Sequence, residues 1–518
     1  MKKLIIAAIF ACGIAAAVEA APEAAVTQSD LQALIQRITQ LEAQNKAQAA
    51  RIAELEDQDK QLSKWIKAQD YKVTEQEKKL ETLPQSFNRI ASQRGVLTDA
   101  GTTTNETGHI LTTAKGWKYY LADKAAGIFE PLSESGLKIT PYGYILFEGV
   151  YNTHGVDADV YADWVKNPNS RGYEEHTSVF SMQDSILGLQ FETPEPNHGW
   201  MFTGRAEMDF AGADANDYAF HWRHLYVNAE HESGWSVLFG QTWHLWKIVS
   251  PSEIDGAWME NTGHPYRRSP QVRVTKKWDW EDSSLEVRLG VVKNGPGMGG
   301  DRDEDRVQDN SASAWPLFEG AVVYDHDSPW QEDYSNKRWL FGIGGMYGQD
   351  RIRNQYDDRK DDYDSMMIML AGSIPFWDFT LTGQIFAGEN LGGVQAGVGQ
   401  TVAFDPVMGD GMGVQTVGGF IDLAYHITDD WSAAIGYGFD SPTIKSGYEQ
   451  VDDDGFSSSI KHNDRAYIDV FYQITANFKL GLEYARLNTR YADATSRGAD
   501  CGGNAYSDRI QFSAFYDF

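Results

Sequence analysis

The charged side chains with the most regular spacing stand at every second position of short apolar segments. In the stretch MFTGRAEMDF, Arg205, Glu207 and Asp209 alternate with apolar or small residues. Successive side chains of a β-strand point to opposite faces, so these charges are expected on one face of a strand. Charges of both signs along such a face can attract and orient charged or dipolar solutes. This chemistry is solute binding, in which no covalent bond is made or broken.

Patterns for metal binding are weaker. The runs DRDEDRVQDN and VDDDG resemble calcium-binding clusters, but they lack the glycine and terminal glutamate spacing of a calcium loop. Solvated loop charge is therefore the favoured interpretation, with loosely bound divalent cations as the alternative. Four histidines fall on neighbouring segments without metal-ligand spacing: His221, His224, His231 and His244. The sequence predicts no metal site and no cofactor.

The composition favours an all-β protein that does not bind nucleic acid. The chain has 518 residues and a formal net charge of −29, whereas binding to a phosphate backbone requires a basic face. Aromatic residues make up 13% of the chain, and it contains 25 tyrosines and 49 glycines. Abundant aromatic and glycine residues are typical of sheets joined by many turns.

Residues 1–20 are predicted to be a secretory signal peptide. Two lysines precede an apolar stretch that ends near Val18, and small residues follow up to the expected cleavage site after Ala20. Lipidation at Cys12 is the less favoured alternative, because apolar residues continue beyond it. After cleavage Cys501 is the sole cysteine, which excludes an intrachain disulfide and a cysteine-based metal site.

Residues 21–83 are predicted to form a coiled coil. An unbroken heptad repeat runs from Leu31 to Leu83, and eleven of its sixteen core positions are apolar. A single amphipathic helix on a membrane surface is the alternative, but it needs a wider apolar face. The mixture of isoleucine and leucine in the core favours three strands. Pro84 ends the helix, and residues 84–135 are interpreted as a linker.

Residues 136–518 are predicted to form an all-β transmembrane barrel. About sixteen segments alternate apolar and polar residues, and most are about ten to fifteen residues long, enough for a tilted strand to cross a bilayer. One of them is expected to run unbroken over 178–192. Short turns alternate with long acidic loops, which is the arrangement of a membrane barrel of antiparallel strands. The final octet, QFSAFYDF, is expected to close the ring, because an open sheet edge is not tolerated in hydrocarbon.

Several motifs together resemble one family of proteins. YGYILFEGVY, GRAEMDFAG, LFGQTW, RSPQVRVTKKW, IFAGENLGG and the terminal Phe518 look like the Gram-negative trimeric outer-membrane porins. A coiled coil before the barrel is similar to the DcaP-like type, and the resemblance covers roughly residues 25 to 518. It implies a homotrimer of 16-stranded barrels that passes small anionic solutes such as dicarboxylates. The very acidic loops of this chain depart from that preference for anions.

Strand alternation predicts the residues that line the pore. Ten charged residues are expected to point into the lumen: Arg205, Glu207, Asp209, Arg273, Lys277, Glu286, Arg288, Lys479, Glu483 and Arg509. Arg205, Arg273, Lys277 and Arg288 lie on neighbouring strands and form what is called the basic wall. The resemblance implies that the loop KIVSPSEIDGAWMENTGHPYR folds inward and brings Glu253, Asp255 and Glu260 toward this wall. One hypothesis is a transverse field that orients dipolar solutes in the constriction. The alternative is a paired, structural network of charges without a role in selectivity.

The favoured function is an outer-membrane porin for passive diffusion of small hydrophilic solutes, anions among them. The alternative is a structural anchor or spacer in the outer membrane, whose coiled coil spans the periplasm and approaches the cell wall. An enzyme is not predicted, because the alternation provides no Ser–His–acid set at the lipid face. The expected partners are two further copies of the chain, outer-membrane lipid and lipopolysaccharide, and the solutes themselves.

Overall fold

The computed structural model describes residues 137–193, 198–212, 218–294, 315–328, 338–353, 360–405, 410–444, 459–492 and 503–518. The predicted signal peptide, coiled coil and linker lie outside the described residues. The same holds for the acidic runs DRDEDRVQDN and VDDDG and for Cys501. Among the residues that are described, no helix is long and apolar enough to cross a bilayer.

Nineteen strands follow one another in the described part of the chain. In chain order they are β1 (Lys138–Asn152), β2 (Thr177–Ser181), β3 (Ile186–Glu192), β4 (Trp200–Asp209), β5 (His221–His231), β6 (Trp235–Trp243), β7 (Arg268–Asp279), β8 (Ser283–Val292), β9 (Leu317–Asp327), β10 (Arg338–Arg353), β11 (Lys360–Phe376), β12 (Phe379–Glu389), β13 (Val402–Phe404), β14 (Gly411–Gly413), β15 (Gln415–His426), β16 (Trp431–Thr443), β17 (Ile460–Thr475), β18 (Phe478–Tyr491) and β19 (Gly503–Asp517).

Seventeen of these strands form one closed antiparallel sheet, and β13 and β14 form a separate small hairpin. Both β2 and β3 pair with β1, so they are two parts of one wall strand and the barrel has sixteen strands around its circumference. The expectation of an unbroken strand over 178–192 is therefore wrong. Residues 182–185 leave the ladder in a local turn, in which the Ser185 amide donates to the Met182 carbonyl.

The last strand closes the ring, as the sequence predicted. β19 pairs with β1 from Asp517 opposite Tyr144 to Arg509 opposite Asn152. Beyond the ladder, the Phe518 amide and carbonyl exchange hydrogen bonds with Gly143 at 3.0 and 3.2 Å. These hydrogen bonds complete the pairing of β19 with β1, which leaves no open edge in this part of the sheet.

The two faces of the wall differ in polarity along each strand. On β19, Ile510, Phe512 and Tyr516 are exposed on the outside, whereas Arg509 and Gln511 are buried inside. The outer surface is apolar over most of the strands, and stacked pairs such as Trp431 with Tyr472 lie at its edge. Because hydrocarbon accepts apolar side chains and excludes charged ones, this surface fits a bilayer core with interfacial aromatic residues.

The two ends of the barrel differ in their connections. The links at one end are short, and this end is called the short-turn end; its links include 232–234, 280–282, 377–378, 427–430 and 476–477. Three longer loops from the other end have buried parts inside the barrel: 153–176, 244–267 and 390–414. Two apolar clusters inside the barrel contain residues of these loops together with wall residues.

Candidate functional site

The loop between β6 and β7 (residues 244–267, called the inward loop) is held first against β9 and β10. Glu319 of β9 accepts hydrogen bonds from the backbone amide of Leu245 at 2.9 Å and from Trp246 Nε1 at 3.0 Å. A Cβ atom at Gly344 of β10 would stand 2.7 Å from Trp246 Cβ, so only glycine allows this close approach. Both loop residues are fully buried.

The inward loop then crosses to the wall formed by β15 to β19. Ser252 Oγ donates to Asp422 at 2.9 Å, and the Ile254 amide donates to Glu483 at 2.8 Å. On the return path, the Asn463 side chain donates to the Asn261 carbonyl at 2.9 Å. Strand residues from distant parts of the sequence therefore define the course of this loop inside the lumen.

A network of charges joins the tip of the inward loop to this wall. Arg465 of β17 forms ion pairs with Glu253, with Asp255 at 2.7 Å and with Glu483 at 3.0 Å. Arg509 of β19 contacts the same Asp255 carboxylate at 3.0 Å. All five side chains are almost completely buried. Two guanidinium groups thus face three carboxylates, which is the pairing that buried charges require.

The pKa of Asp255 shows how this network acts on one loop carboxyl. Burial alone would raise its pKa, but the charges of Arg509 and Arg465 outweigh burial and lower it. Asp255 therefore stays ionised and binds the loop to the wall. The ion-pair partners of Glu253 and Asp255 are Arg465 and Arg509, whereas the contacts of Arg205 and Arg273 lie elsewhere. This part of the site therefore has the features of the alternative stated from the sequence, a paired, structural network of charges.

The third loop carboxyl, Glu260, lies beside the loop that follows β1. Its Oε2 accepts a hydrogen bond from the Tyr266 hydroxyl at 3.1 Å. Burial, followed by the nearby charge of Asp163, raises the pKa of Glu260 well above its usual value. Asp163 in turn accepts a 3.0 Å hydrogen bond from the Asn261 side chain. The contact between the two loops is thus rich in carboxyl groups.

The first part of the basic wall is built on β4 and β5. Arg205 donates to the Tyr142 hydroxyl at 2.5 Å and pairs with Glu207 at 2.7 Å. Arg223 binds the other oxygen of Glu207 at 2.7 Å and reaches Asp209 at 3.0 Å. The Arg205 side chain is 15% exposed and that of Glu207 is 1% exposed, so the cation is the more accessible member of the pair.

The ion pair on β7 has the reverse order of exposure. Lys277, whose side chain is 27% exposed, pairs at 2.9 Å with Asp279 at the strand end, which is 58% exposed. Arg273, which is partly exposed, donates to the Trp243 carbonyl at 2.6 Å. On β8, Arg288 pairs with Glu286 at 2.5 Å, and both side chains are largely buried.

Six of the ten expected lining residues are buried. Three of them, Glu207, Asp209 and Glu286, are covered within ion pairs of the wall, and the other three are Lys479, Glu483 and Arg509. Glu483 and Arg509 belong to the network under the inward loop. The Lys479 ammonium lies 4.9 Å from the centre of the Phe471 ring and 4.6 Å from that of Phe515. Strand alternation places these three residues on the inner face of the wall. They are not open to the lumen, because loops and aromatic rings from elsewhere in the chain cover them.

Sequence reasoning missed Arg465, which has the most carboxylate partners in the network. Its signal was present, because Arg465 and Asp469 alternate with Ala466 and Ile468 in β17. Arg223 was harder to place, since an irregularity in the pairing of β4 with β5 changes the phase next to it. Nothing in the period of the strands predicted that the loops 153–176 and 390–414 also enter the barrel.

Comparison with solved structures gives the fold. DcaP of Acinetobacter baumannii, described as an outer-membrane channel, matches 74% of this chain and 99% of its own with a TM-score of 0.56 and 19% identity. This chain has a porin fold. The resemblance stated from the sequence is thereby confirmed at the level of the fold.

Two other porins cover the same share of the chain at lower similarity. The anion-selective porin of Comamonas acidovorans has 12% identity and a TM-score of 0.46 over 74% of this chain and 100% of its own. OmpF of Salmonella typhi in complex with daunomycin has 14% identity and a TM-score of 0.44 over 74% of this chain and 99% of its own. The sequence matches no family model, and no curated protein matches it.

Proposed function

We propose that this protein is a channel of the bacterial outer membrane through which small hydrophilic solutes diffuse, with a preference for anions. The observation that carries the proposal is the closed sixteen-strand wall, which is apolar outside and carries charged side chains inside. A barrel of this size is wide enough for an aqueous channel. No bond-making chemistry is needed for this role, so the protein is not an enzyme and needs no cofactor.

The preference for anions rests on which charges are accessible. The carboxylates of Glu253 and Asp255 are buried and paired, so the inward loop presents little free negative charge from them. On the wall of β4 to β7, Arg205 and Arg273 keep part of their surface exposed, while Glu207 is covered. Accessible cations beside recessed carboxylates raise the local concentration of anions.

The proposed assembly is a homotrimer in the outer membrane. The heptad core favours three strands, and the short-turn end is the periplasmic end in barrels of this type. With an even number of strands, β1 begins at that end, so the coiled coil belongs in the periplasm. The acidic loops then lie near lipopolysaccharide, where they can take up divalent cations. A structural anchor or spacer, with the coiled coil reaching toward the cell wall, is the second candidate.

Planar-bilayer recording of the full-length protein tests the proposal. We expect discrete conductance steps and, in a potassium chloride gradient, a reversal potential that indicates anion preference. Arg205→Glu combined with Arg273→Glu should shift the reversal potential toward cations. Arg351→Glu is the control, because Arg351 lies on the outer face and pairs with Asp362 at 2.8 Å.

The outcomes separate the candidates. A wild-type protein that inserts but never conducts supports the anchor and contradicts the channel. A conducting protein whose reversal potential is unchanged by the double reversal contradicts the basic wall as the selector. An equal shift in the Arg351→Glu variant would mean that net charge, and not the inner wall, sets the selectivity.

A further inference from the structure

We propose that Lys276, on the outer face of β7, forms a binding site for the phosphate of a phospholipid in the periplasmic leaflet. The site is called the Lys276 site and consists of Lys276, Trp235, Trp278 and the Ser233 carbonyl. The inference requires that the barrel lies in a membrane, but it is independent of whether the channel conducts or which solutes pass.

The register places Lys276 on the outside of the barrel. Val272 and Val274 precede it at alternate positions of β7 and are both exposed on the outer surface. Its cross-strand neighbour on β6 is Trp235, which is also exposed. The next residue, Lys277, has the opposite orientation and pairs with Asp279. Adjacent lysines thus face lipid and lumen.

Lys276 lies at the depth of the lipid headgroups. β6 begins directly after the link 232–234, and β7 ends directly before the link 280–282, both at the short-turn end. Trp235, Trp278 and Trp280 surround this level and are all exposed. Tryptophan side chains of membrane proteins concentrate at the interface between hydrocarbon and headgroups. The lysine therefore lies beside the phosphates of the periplasmic leaflet.

The Lys276 ammonium group is held in place by protein contacts and still has N–H donors available for a ligand. Its Nζ lies 5.4 Å from the centre of the Trp235 ring and 5.5 Å from that of Trp278. It also donates a hydrogen bond to the Ser233 carbonyl. An ammonium group has three N–H donors, so two remain for a ligand. The flanking rings restrict the flexible side chain, which lowers the entropy lost on binding.

The charge of Lys276 has no carboxylate partner within 4 Å among the described residues. Two other cations of the outer face are paired, Arg351 with Asp362 and Arg486 with Asp508. A cation at the membrane surface without a counter-ion attracts anionic lipid, and each such residue adds about 1 kcal/mol to the interaction. A phosphodiester supplies the acceptor oxygens that the two remaining donors need.

Native mass spectrometry of the full-length protein in detergent tests the site. Palmitoyl-oleoyl-phosphatidylglycerol is titrated into wild-type protein and into Lys276→Gln, and retained lipid is counted per chain. We expect affinity for one lipid to fall about fivefold in the variant and to recover in Lys276→Arg. Lys277→Gln is the matched control, because it removes the same charge one residue away on the inner face. Heat-dependent gel mobility checks that each variant is a folded barrel.

Two further probes identify the ligand chemistry. Palmitoyl-oleoyl-glycerol, which lacks the phosphate, should bind wild type and Lys276→Gln alike, and millimolar inorganic phosphate should not displace the phospholipid. Equal retention of phosphatidylglycerol by wild type and Lys276→Gln overturns the proposal, as does an equal loss in Lys277→Gln. Displacement by inorganic phosphate would show an anion site without lipid recognition and would also overturn it. A wild-type assembly that retains no lipid because a second copy covers the site has the same consequence.

Discussion

At the scale of single residues, the buried guanidinium group of Arg465 organises the inward loop. It pairs with Glu253 and Asp255 of the loop and with Glu483 of β18. An exposed pair of the same type contributes little, because water screens both charges and the side chains lose entropy. Removing one partner of a buried pair has a larger effect, because the remaining charges stay buried without compensation.

We expect Arg465→Met to lower the free energy of unfolding by about 3–5 kcal/mol. The loss comes from the three carboxylates that keep their buried positions without this partner. Urea or heat unfolding of the detergent-solubilised protein measures it. Arg351→Met, at the exposed pair with Asp362, is the matched control and should change stability little. Similar losses in the two variants would contradict the role assigned to the buried network.

The loop that follows β1 should respond to pH through Asp157. Burial raises the pKa of Asp157 to about 7, although its carboxylate accepts backbone hydrogen bonds from Asp163 and Trp164. A raised pKa in the folded state means that the stabilising contribution is complete below the unfolded value of 3.8 and is lost as pH rises through about 7. We therefore expect the loop 153–176 to open more easily at pH 8 than at pH 5.5.

Hydrogen exchange of the backbone amides in 153–176, corrected for the intrinsic effect of pH, measures this opening. Asp157→Asn removes the titration while an amide oxygen can still accept the two backbone hydrogen bonds, so the pH dependence should become flatter. Asp163 and Glu260 lie in the same contact region, and because burial raises the pKa of both carboxyl groups, they retain a pH dependence of their own. Protection that is equal at both pH values in the wild-type protein would contradict this prediction.

At the scale of elements, each wall strand faces two media. The outer side chains of β19 meet hydrocarbon, and the inner ones meet the contents of the barrel. A charge on the outer face is expected to be most costly halfway across the bilayer and least costly near an interface. β19 provides both positions on its outer face. Tyr506 lies near the long-loop end of the strand, and Ile510 lies farther from that end and therefore deeper in the bilayer.

We expect Ile510→Lys to destabilise the barrel in lipid vesicles by about 2–4 kcal/mol and Tyr506→Lys by about 0–1 kcal/mol. Equilibrium unfolding in vesicles measures both values. The comparison holds the strand, the face and the introduced group constant and varies only the depth. Equal costs for the two variants would contradict the outward orientation of β19.

The inward loop depends on glycines where it approaches the wall. A Cβ atom at Gly438 of β16 would stand 2.2 Å from the Thr262 carbonyl oxygen, so Gly438→Ala must displace the loop from the wall toward the lumen. We expect a smaller single-channel conductance in planar bilayers. Gly320→Ala is the control, because its nearest contact would be a leucine methyl group at 3.3 Å. A conductance equal to that of the wild type in Gly438→Ala would mean that the loop does not set the width of the pore.

At the scale of the whole molecule, the barrel and the predicted coiled coil should have separable roles. The described barrel closes on itself through the pairing of β1 with β19 and needs no residue from 21–83 for that closure. We therefore expect deletion of 21–83 to leave the unitary conductance unchanged. Cross-linking of the purified protein should show a loss of trimers if the heptads hold three chains together. A deletion variant that inserts but does not conduct would contradict the independence of the pore.

Several features of this protein followed from its sequence alone. The period of two in the strands, the alternation of short and long connections and the apolar final octet predicted an antiparallel barrel of about sixteen strands that closes at its last residue. These properties are local, since each strand carries its own apolar and polar faces. The inward direction of Arg205, Glu207 and Arg273 follows from the same alternation.

Only the tertiary structure decided which inward charges are accessible and which are paired. Arg509 and Glu483 follow the same alternation as Arg205, yet Arg509 and Glu483 are buried under the inward loop. The partners of Asp255 lie more than two hundred residues along the chain, and the strand break at 182–185 depends on a local turn. The physical reason is that the direction of a side chain is set by its own strand, whereas its burial and its charge partners are set by loops that fold onto it from distant parts of the sequence.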